Sequence, residues 1–426
     1  MKKIWILLCI LIAVDLQAVT ITDMFNAIKK QPTTKIDEIS SKMAKIAQNR
    51  VNAGYYPVVN LFGNYTHYNS PTNLLPLDPK AAGSLIARHE PLPFSNTKEV
   101  VGIQASMPLF VRELKDLSQK AKYLAKSAML KKRLNFYQNE AVILGSNASL
   151  EYLDSLIRSL KATKKSLVKT KDNLQVSVDA GRTPGIAIDK IDEGINRIDI
   201  AINSIEIKKS TLLSNIENLT GLEIKKPAKM ELISEVKSGD IFALKPLEQV
   251  INASMSDYKA AKAKRYYPKV AFNVMWSENY AQNDSSLGQS VHRGYGYYQL
   301  GVQIPLYNRG EDVDMQLKQI AIMKNRMKLK KSETELKMQI KSLQSSLTLL
   351  DKSSKLKKKN IQKNVDLLKF AKVAFNEGRM TEEDYMGYED KLLSAKTSYY
   401  ETLSQKWQDI AKLAVIYGND LKEIVR

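Results

Sequence analysis

The sequence contains the same series of landmarks twice, in the same order. The matched pairs are Tyr55 and Tyr266, Gly102 and Gly301, Pro108 and Pro305, Gly181 and Gly378, and Gly221 and Gly418. In the last two pairs the second member follows the first by 197 residues. Such a series indicates that one unit of roughly 200 residues is present twice. The fold is therefore constrained by what one unit forms and by why two units are needed.

The first 18 residues have the pattern of a secretory signal. Lys2 and Lys3 precede an apolar run from Ile4 to Val14, and Ala18 ends the segment. A helix that spans a bilayer needs ~20 apolar residues, so a cleaved signal is favoured over an anchor helix. The only cysteine, Cys9, lies inside this segment, and the mature chain is expected to have no disulfide and no cysteine metal site.

Charge and motif content argue against two classes of function. The formal net charge is +20, but the lysines are scattered along the chain, and a solvated helix surface is favoured over nucleic-acid binding. The three histidines, His67, His89 and His292, have no metal-ligand spacing. No phosphate-binding glycine loop or catalytic triad pattern is visible. We therefore expect no enzyme activity, no metal, no cofactor and no nucleic-acid partner.

Each unit contains two segments in which apolar and polar residues alternate. In the second unit Phe272, Val274 and Trp276 alternate with polar residues such as Asn273. The period of two predicts strands at about 57–68 and 99–108 in the first unit and at about 268–280 and 295–305 in the second. Strands of ~10 residues with one apolar face fit a transmembrane β-barrel, but they also fit a soluble hairpin on a hydrophobic core.

Aromatic residues at the ends of these strands favour the membrane. The expected girdle residues are Tyr55, Tyr56, Tyr266, Tyr267 and Trp276. The tyrosine pairs stand at the start of the first strand of each unit, whereas Trp276 stands toward the far end. Two aromatic bands that flank an apolar zone are typical of transmembrane barrels.

Long helices follow the strands. Helices are predicted at about 109–180 and 310–377, and each ends in a glycine turn, at Gly181 or Gly378. In each unit 72 residues separate the proline landmark from the turn, which corresponds to ~108 Å of helix. A shorter helix follows each turn, and a helix over 20–53, interrupted by Pro32, precedes the first hairpin. The predicted repeats cover 19–221 and 243–426, with a linker at 222–242.

The predicted elements require assembly. Four strands cannot close a transmembrane barrel, because the smallest such barrels have eight, and an open edge in lipid leaves backbone groups unpaired. Several chains must therefore share one barrel. The long helices also need neighbours against which to bury their apolar seams.

The order of helix, hairpin after an aromatic-Pro, long helix, glycine turn and shorter helix, given twice, resembles the TolC family of outer-membrane efflux proteins. Its most specific stretch is residues 375–384, an aromatic-x-x-Gly segment with Asp384 six residues beyond Gly378. The first turn departs from this pattern, because Ala187 stands where the carboxylate would be.

This resemblance implies a mostly α fold with a β-barrel part. Three chains would form a twelve-stranded barrel in the outer membrane of a Gram-negative bacterium, continued by a helical tunnel into the periplasm. Such a homotrimer contacts outer-membrane lipid, a periplasmic adaptor and an inner-membrane transporter, in a tripartite efflux pump or a type I secretion system. Drug, metal-ion, solvent and polypeptide export all remain open.

The resemblance also implies functional residues at the tunnel tips. Asp384 and Phe375 are the expected gate, although Asp384 would serve equally as a helix N-terminal carboxylate and Phe375 as a seam residue. The expected adaptor contacts are Gly181, Arg182, Gly378 and Arg379. The alternative from another class is a secreted coiled-coil structural or adhesive protein whose hairpins form a soluble head.

Overall fold

The structure is a computed structural model that describes residues 19–74, 76–90, 92–182, 184–281 and 291–426. The predicted signal, residues 1–18, lies outside the described residues. The chain divides into two compact units. Unit 1 comprises Met1–Ser41, Met129–Pro246 and Leu329–Arg426, and unit 2 comprises Lys42–Ala128 and Leu247–Lys328.

Within the described residues the chain forms eight α-helices and four strands, in the order helix, helix, strand, helix, strand, helix, helix, helix, strand, strand, helix, helix. The helices are α1 Ile21–Ile28, α2 Pro32–Ala53, α3 Pro79–Ala87, α4 Arg112–Asp179, α5 Ile186–Thr220, α6 Lys245–Tyr266, α7 Arg309–Asn376 and α8 Glu382–Tyr417. The strands are β1 Val58–Asn73, β2 Phe94–Val111, β3 Lys269–Ala281 and β4 Val291–Gln303. The expectation of a mostly helical chain with a small β part is confirmed.

The two long helices have the same length. Both α4 and α7 contain 68 residues, and neither has a proline to interrupt it. Each stops just before its glycine, because Gly181 and Gly378 adopt a φ of +70°, a left-handed conformation that ends a helix and that glycine adopts without strain. The shorter helices α5 and α8 end in the same way, at Gly221 and Gly418 with φ of +69° and +73°.

The first predicted helix is divided into two. Thr20 caps α1 through a capping box with Asp23, in which each side chain bonds the backbone of the other residue. Pro32 then begins α2 at a position where a helix needs no N–H donor. The proline therefore starts a new helix.

The four strands, all in unit 2, form one antiparallel sheet in the order β1-β2-β3-β4. Leu61 on β1 pairs with Ile103 on β2, which pairs with Trp276 on β3, which pairs with Gly296 on β4. Because side chains alternate between faces, this register places most of the apolar residues of the four strands on one face. The outer edges of β1 and β4 have no strand partner within the described residues.

The predicted strand ends near residues 68, 99 and 108 are wrong. The strand β1 continues to Asn73 and β2 begins at Phe94, so both extend into a segment expected to be a loop. Pro71 lies in a break of register between His67 and Thr72, where it removes no ladder hydrogen bond. The helix α3 occupies part of the connection.

Pro108 also lies inside a strand, although it was expected to end one. The strand β2 runs to Val111, with a register shift between Pro108 and Phe110. The pairing of β2 with β1 stops at Ser106, so at Pro108 the only strand neighbour is β3. A proline is tolerated there because one side of the strand makes no ladder bonds.

The helices of unit 2 pack through small side chains and ion pairs. The buried residues of α6 include Ala253, Ser256, Ala260, Ala261 and Ala263, and such small residues allow close approach of neighbouring backbones. Asp257 on α6 accepts from Lys120 of α4 at 2.8 Å and pairs with Lys318 of α7 at 3.2 Å. This carboxylate links three helices.

Unit 1 is organised around two main apolar clusters. The first joins α1, α4, α5 and α8 with the C-terminal segment, and its buried members include Phe25, Ile143, Ile216, Ile410 and Leu421. The second lies toward the glycine turns and includes Leu160, Leu167, Ile191, Ala371 and Tyr385, from α4, α5, α7 and α8. Both clusters are formed by side chains of a single chain.

Candidate functional site

The two glycine turns, both in unit 1, have the same backbone geometry. In each turn the glycine N–H donates to the carbonyl three residues back, at 2.8 Å for Gly181 and 3.0 Å for Gly378. The N–H of the next residue, Arg182 or Arg379, donates to the carbonyl five residues back, at 2.9 and 2.8 Å. This pair of bonds is a Schellman motif, which satisfies carbonyls left free at the end of a helix.

The Gly378 turn leads into a capped helix. The Thr381 hydroxyl accepts from the Asp384 N–H at 3.1 Å, and the same hydroxyl donates to the Asp384 carboxylate at 2.7 Å. Asp384 is exposed and stands in the first turn of α8, where the helix dipole favours negative charge. The predicted gate residue therefore has a structural role as part of the cap.

Phe375 packs against the interior of unit 1. Its ring stacks on Tyr385 with 5.1 Å between centroids. Tyr385 is 1 % exposed, and its hydroxyl donates to Glu389 at 3.0 Å and lies 3.0 Å from the Ser166 hydroxyl on α4. Burial raises the pKa of Tyr385 above its usual value. Phe375 thus belongs to an aromatic and hydrogen-bonded cluster that joins α4, α7 and α8.

The Gly181 turn lacks these features. Gly185 precedes α5 and makes no side-chain cap. Ala187, which occupies the position of Asp384, is 4 % exposed, whereas Asp189 is exposed. The helices beside this turn are joined by ion pairs instead, Lys171 with Asp192 at 2.6 Å and Lys164 with Asp199 at 2.6 Å.

Both arginines expected to contact an adaptor are exposed. Arg182 has an exposed side chain, and Arg379 pairs with Glu377 at 3.3 Å while remaining largely open to solvent. Lys190 of α5 pairs with Glu383 of α8 at 3.7 Å, so a charged contact links the two helices that begin after the turns. Exposed side chains of both charges therefore lie near the two glycine turns.

The expected girdle residues all lie in unit 2 and are all exposed. Tyr55 and Tyr56 lie between α2 and β1. Tyr266 is the last residue of α6, and Tyr267 lies between α6 and β3. Trp276 lies within β3, on the apolar face of the sheet, and its indole N–H donates to Glu278 at 3.2 Å. Its ring covers Gly296 so closely that a Cβ there would lie 2.5 Å from a ring carbon.

The apolar face of the sheet is open to its surroundings. Its exposed members are Val59, Leu61, Tyr65, Val101, Ile103, Met107, Phe272, Val274, Trp276, Tyr298, Leu300 and Val302. Leu61 is 75 % exposed and Tyr298 is 82 % exposed. Single exposed apolar residues are ordinary, but a contiguous apolar face across four strands marks a contact with lipid or protein.

One buried carboxyl was not singled out from the sequence. Glu140 on α4 is 1 % exposed, and its Oε2 accepts from the Leu421 N–H at 3.4 Å. Burial, together with the nearby charge of Asp420, raises the pKa of Glu140 to about 8. The C-terminal segment that covers it is held by reciprocal backbone bonds between Glu231 and Arg426, at 2.8 and 3.0 Å.

The described residues lack two features, a cluster of metal ligands and a membrane-spanning helix. No group of three or more histidine, cysteine or carboxylate side chains is arranged to hold a metal ion. No described helix is both long and apolar enough to cross a bilayer.

Comparison with known proteins gave no match to a protein-family model or to a curated sequence. Solved structures do match. CusC, whose structures concern folding and transmembrane channel formation, superposes with a TM-score of 0.79 at 12% identity and covers 95% of this chain and 93% of its own. The outer-membrane protein VceC from Vibrio cholerae gives 0.76 at 13% identity, with 94% of this chain and 96% of its own covered.

The Campylobacter jejuni CmeC outer-membrane channel gives 0.75 at 12% identity, with 95% of this chain and 85% of its own covered. The chain has the fold of the TolC-family outer-membrane channels. The expected fold of a single chain, mostly helical with a small sheet, is confirmed over nearly the whole chain.

Proposed function

We propose that this protein is an outer-membrane exit duct of a Gram-negative bacterium, in which three copies share one barrel and one helical tunnel. The duct would conduct solutes or polypeptides passively, as the last component of a tripartite efflux pump or a type I secretion system. No catalytic step is part of this function.

The exposed apolar face of the sheet is the observation that carries the proposal. A four-stranded sheet in water normally covers its apolar face with a helix or a second sheet. Here Leu61, Trp276 and Tyr298 are exposed. The opposite face carries amides such as Asn60, Asn273 and Gln299. A transmembrane barrel accounts for both faces, because its outer face contacts lipid and its inner face contacts water.

The free edges of the sheet support assembly of several copies. Among the described residues no strand pairs with the outer edge of β1 or β4, and unpaired backbone groups cost several kcal/mol each in lipid. If β4 of one copy pairs with β1 of the next, three copies of this four-stranded sheet close a twelve-stranded barrel without an edge. The shared fold with outer-membrane channels supports the same arrangement.

The glycine turns are the proposed docking and gating region. Arg182 and Arg379 are exposed charges beside rigid backbone turns, which suits contact with a periplasmic adaptor that connects the duct to an inner-membrane transporter. Gly181 and Gly378 shape the contact surface. Asp384 is exposed at the start of α8, and three copies would form an acidic ring at the tunnel mouth, beside Phe375.

Membrane fractionation combined with semi-native electrophoresis tests the proposal. The protein should be recovered in the outer-membrane fraction as an oligomer that resists SDS at room temperature and dissociates on heating. In planar bilayers the purified oligomer should produce discrete channel openings.

Recovery of the whole protein as a monomer in the soluble fraction at high salt would contradict the duct and favour a secreted coiled-coil protein. The adaptor contact has its own measurement, crosslinking in cells from a cysteine placed at Arg182 or Arg379, with Lys29 of unit 1 as a matched position away from the turns.

A further inference from the structure

The charged residues of the sheet are sorted between its two faces. The described strands contain two carboxylates, Glu99 and Glu278, and the register places both on the apolar face. Glu99 pairs with Tyr280, and Glu278 pairs with Val101, in the same alternation as Ile103 and Trp276. The polar face of the described strands therefore contains no carboxylate.

All lysine and arginine side chains of the described strands belong to the polar face. Lys98 follows the alternation of Gln104, and Arg293 follows that of Gln299. A third cation on this face, Lys269, is neutralised by Glu113 at 3.2 Å. Lys98 and Arg293 form no ion pair with a carboxylate of the described residues, and the guanidinium of Arg293 donates only to the His292 carbonyl, at 3.3 Å.

The two free cations lie at the same end of the sheet. Lys98 lies opposite Thr66 in the middle part of β1, and Arg293 lies opposite Asn279 near the end of β3. Both cations therefore lie on the half of the sheet farther from α2 and α6, the helices that lead into β1 and β3. From strand spacing and rise, the two Cα atoms are roughly 12 Å apart. That distance is close to the Debye length of ~10 Å at 0.1 M salt. Salt at this concentration therefore only partly screens the two charges from each other, and their electrostatic potentials add in the space between them.

The remaining polar-face residues are neutral, and many of them offer hydrogen bonds. Examples are Gln104, Ser277 and Asn279, of which Asn279 donates its amide to the Arg293 carbonyl at 3.3 Å. On the opposite face the two carboxylates are held among aromatic and imidazole groups, as Glu278 is by His292 at 2.7 Å. The sheet thus presents a net positive polar face.

We propose that Lys98 and Arg293 form a cationic ring at the outer mouth of the duct that favours anionic solutes. This inference rests on the proposed trimeric barrel, in which the polar face lines the pore and the ring contains both residues from every copy. Fixed positive charge on the wall of a narrow pore raises the local concentration of anions and lowers that of cations. The favoured solutes therefore carry carboxylate, sulfate or phosphate groups.

Ion selectivity in planar bilayers tests the ring. The double variant K98Q/R293Q, measured in a KCl gradient near 0.1 M, should lower the chloride-to-potassium permeability ratio by about two-fold or more relative to the wild type. The difference should shrink near 1 M KCl, where the Debye length is about 3 Å. Unchanged selectivity in the double variant at low salt would overturn the proposal.

The neighbouring residue supplies a matched control. E99Q removes one charge at the next position of the same strand, on the apolar face, and should shift the ratio much less than K98Q. A shift of equal size from E99Q would overturn the assignment of faces.

The failure of the inference and the failure of the duct are distinguishable. A protein that forms no oligomer and no channel contradicts the proposed function, whereas an open channel indifferent to K98Q/R293Q contradicts only the ring. If the trimer forms but stays closed, calorimetric titration with inositol hexakisphosphate gives the second readout. The wild type should bind this polyanion at low salt and K98Q/R293Q should bind it several-fold more weakly; equal binding would overturn the proposal.

Discussion

The two units of the chain bury their apolar side chains to very different extents. Among the described residues, eleven of the twelve largest fully buried side chains lie in unit 1, and only Leu74 lies in unit 2. Unit 2 instead exposes large residues such as Leu61, Tyr298 and Leu300. Unit 1 therefore obtains much of its stability from contacts within one chain, whereas the sheet of unit 2 depends on what surrounds it.

A charge on the apolar face gives the sharpest test of this difference. Val274→Arg should prevent the oligomer from forming, because an arginine facing lipid costs about 2–4 kcal/mol per copy and every copy carries it. The measurement is the yield of heat-modifiable oligomer from the outer membrane. The adjacent polar-face variant Asn273→Arg should assemble and change conductance instead. Equal loss of oligomer in both variants would contradict the assignment of Val274 to the lipid-facing side and Asn273 to the pore-facing side.

Removal of a large side chain from unit 1 should lower the stability of the chain itself. Tyr385→Ala removes a buried ring that stacks on Phe375, and the expected loss is about 3–5 kcal/mol of unfolding free energy. Denaturant unfolding followed by helical circular dichroism measures it in the full-length protein.

The matched variant Tyr385→Phe keeps the ring and deletes only the bonds to Ser166 and Glu389, so it should lose about 1–2 kcal/mol. If Tyr385→Ala were as stable as the wild type, the stack would not be part of a cooperative core.

The buried carboxyl of unit 1 predicts a pH effect. The pKa of Glu140 is about 8 in the fold against a usual 4.5, so between these values the folded state keeps a proton that the unfolded state has released. The stabilising proton is fully bound below about pH 4.5, and stability should fall as the pH rises toward 8. The expected size is on the order of a few kcal/mol.

Glu140→Gln stays neutral at every pH and should become more stable relative to the wild type as the pH rises. The unfolding midpoint measured near pH 5 and near pH 8 gives the difference. Asp172→Asn controls for loss of one negative charge, since Asp172 is exposed on the same helix. A constant gap between Glu140→Gln and the wild type would rule out a buried proton.

The glycine turns should give the smallest effect. Gly378→Ala places a Cβ in a left-handed conformation with φ of +70° and should lose about 1 kcal/mol. Gly181→Ala should lose a similar amount, because no atom lies within 4 Å of the added Cβ in either turn.

Gly387→Ala, inside α8 with no atom within 4 Å of the new Cβ, should instead gain about 0.5–1 kcal/mol. Thermal unfolding of the three variants decides the signs. A loss at all three positions would contradict the assignment of the effect to the left-handed backbone conformation, because Gly387 lies in a regular helix.

The parts of the fold that local pattern determines were predictable. The Gly-Arg pairs located the ends of α4 and α7 because only a left-handed residue is needed to stop a helix there. Alternation in β3 correctly separated Val274 from Asn273. The predicted end of the second strand at Pro108 was wrong, because a proline is tolerated in a strand on the side where no neighbouring strand forms ladder hydrogen bonds.

Long-range contacts were not accessible from the sequence. Glu140 and Leu421 are 281 residues apart, and nothing near Glu140 indicates that the C-terminal segment will bury it. The stack of Phe375 on Tyr385 is closer in sequence, but it depends on the direction in which α8 leaves the turn. The functional assignments of Asp384 and the arginines remain predictions for the experiments above.

The two free edges of the sheet also have a genetic consequence. In the proposed trimer each copy supplies both a β1 edge and a β4 edge, so one chain with a damaged edge would interrupt the ring at one joint. If damaged and intact chains are made in equal amounts and mix freely, roughly one trimer in eight contains only intact chains. An allele with a proline on the outer edge of β4 would therefore be dominant, even beside a normal copy of the gene.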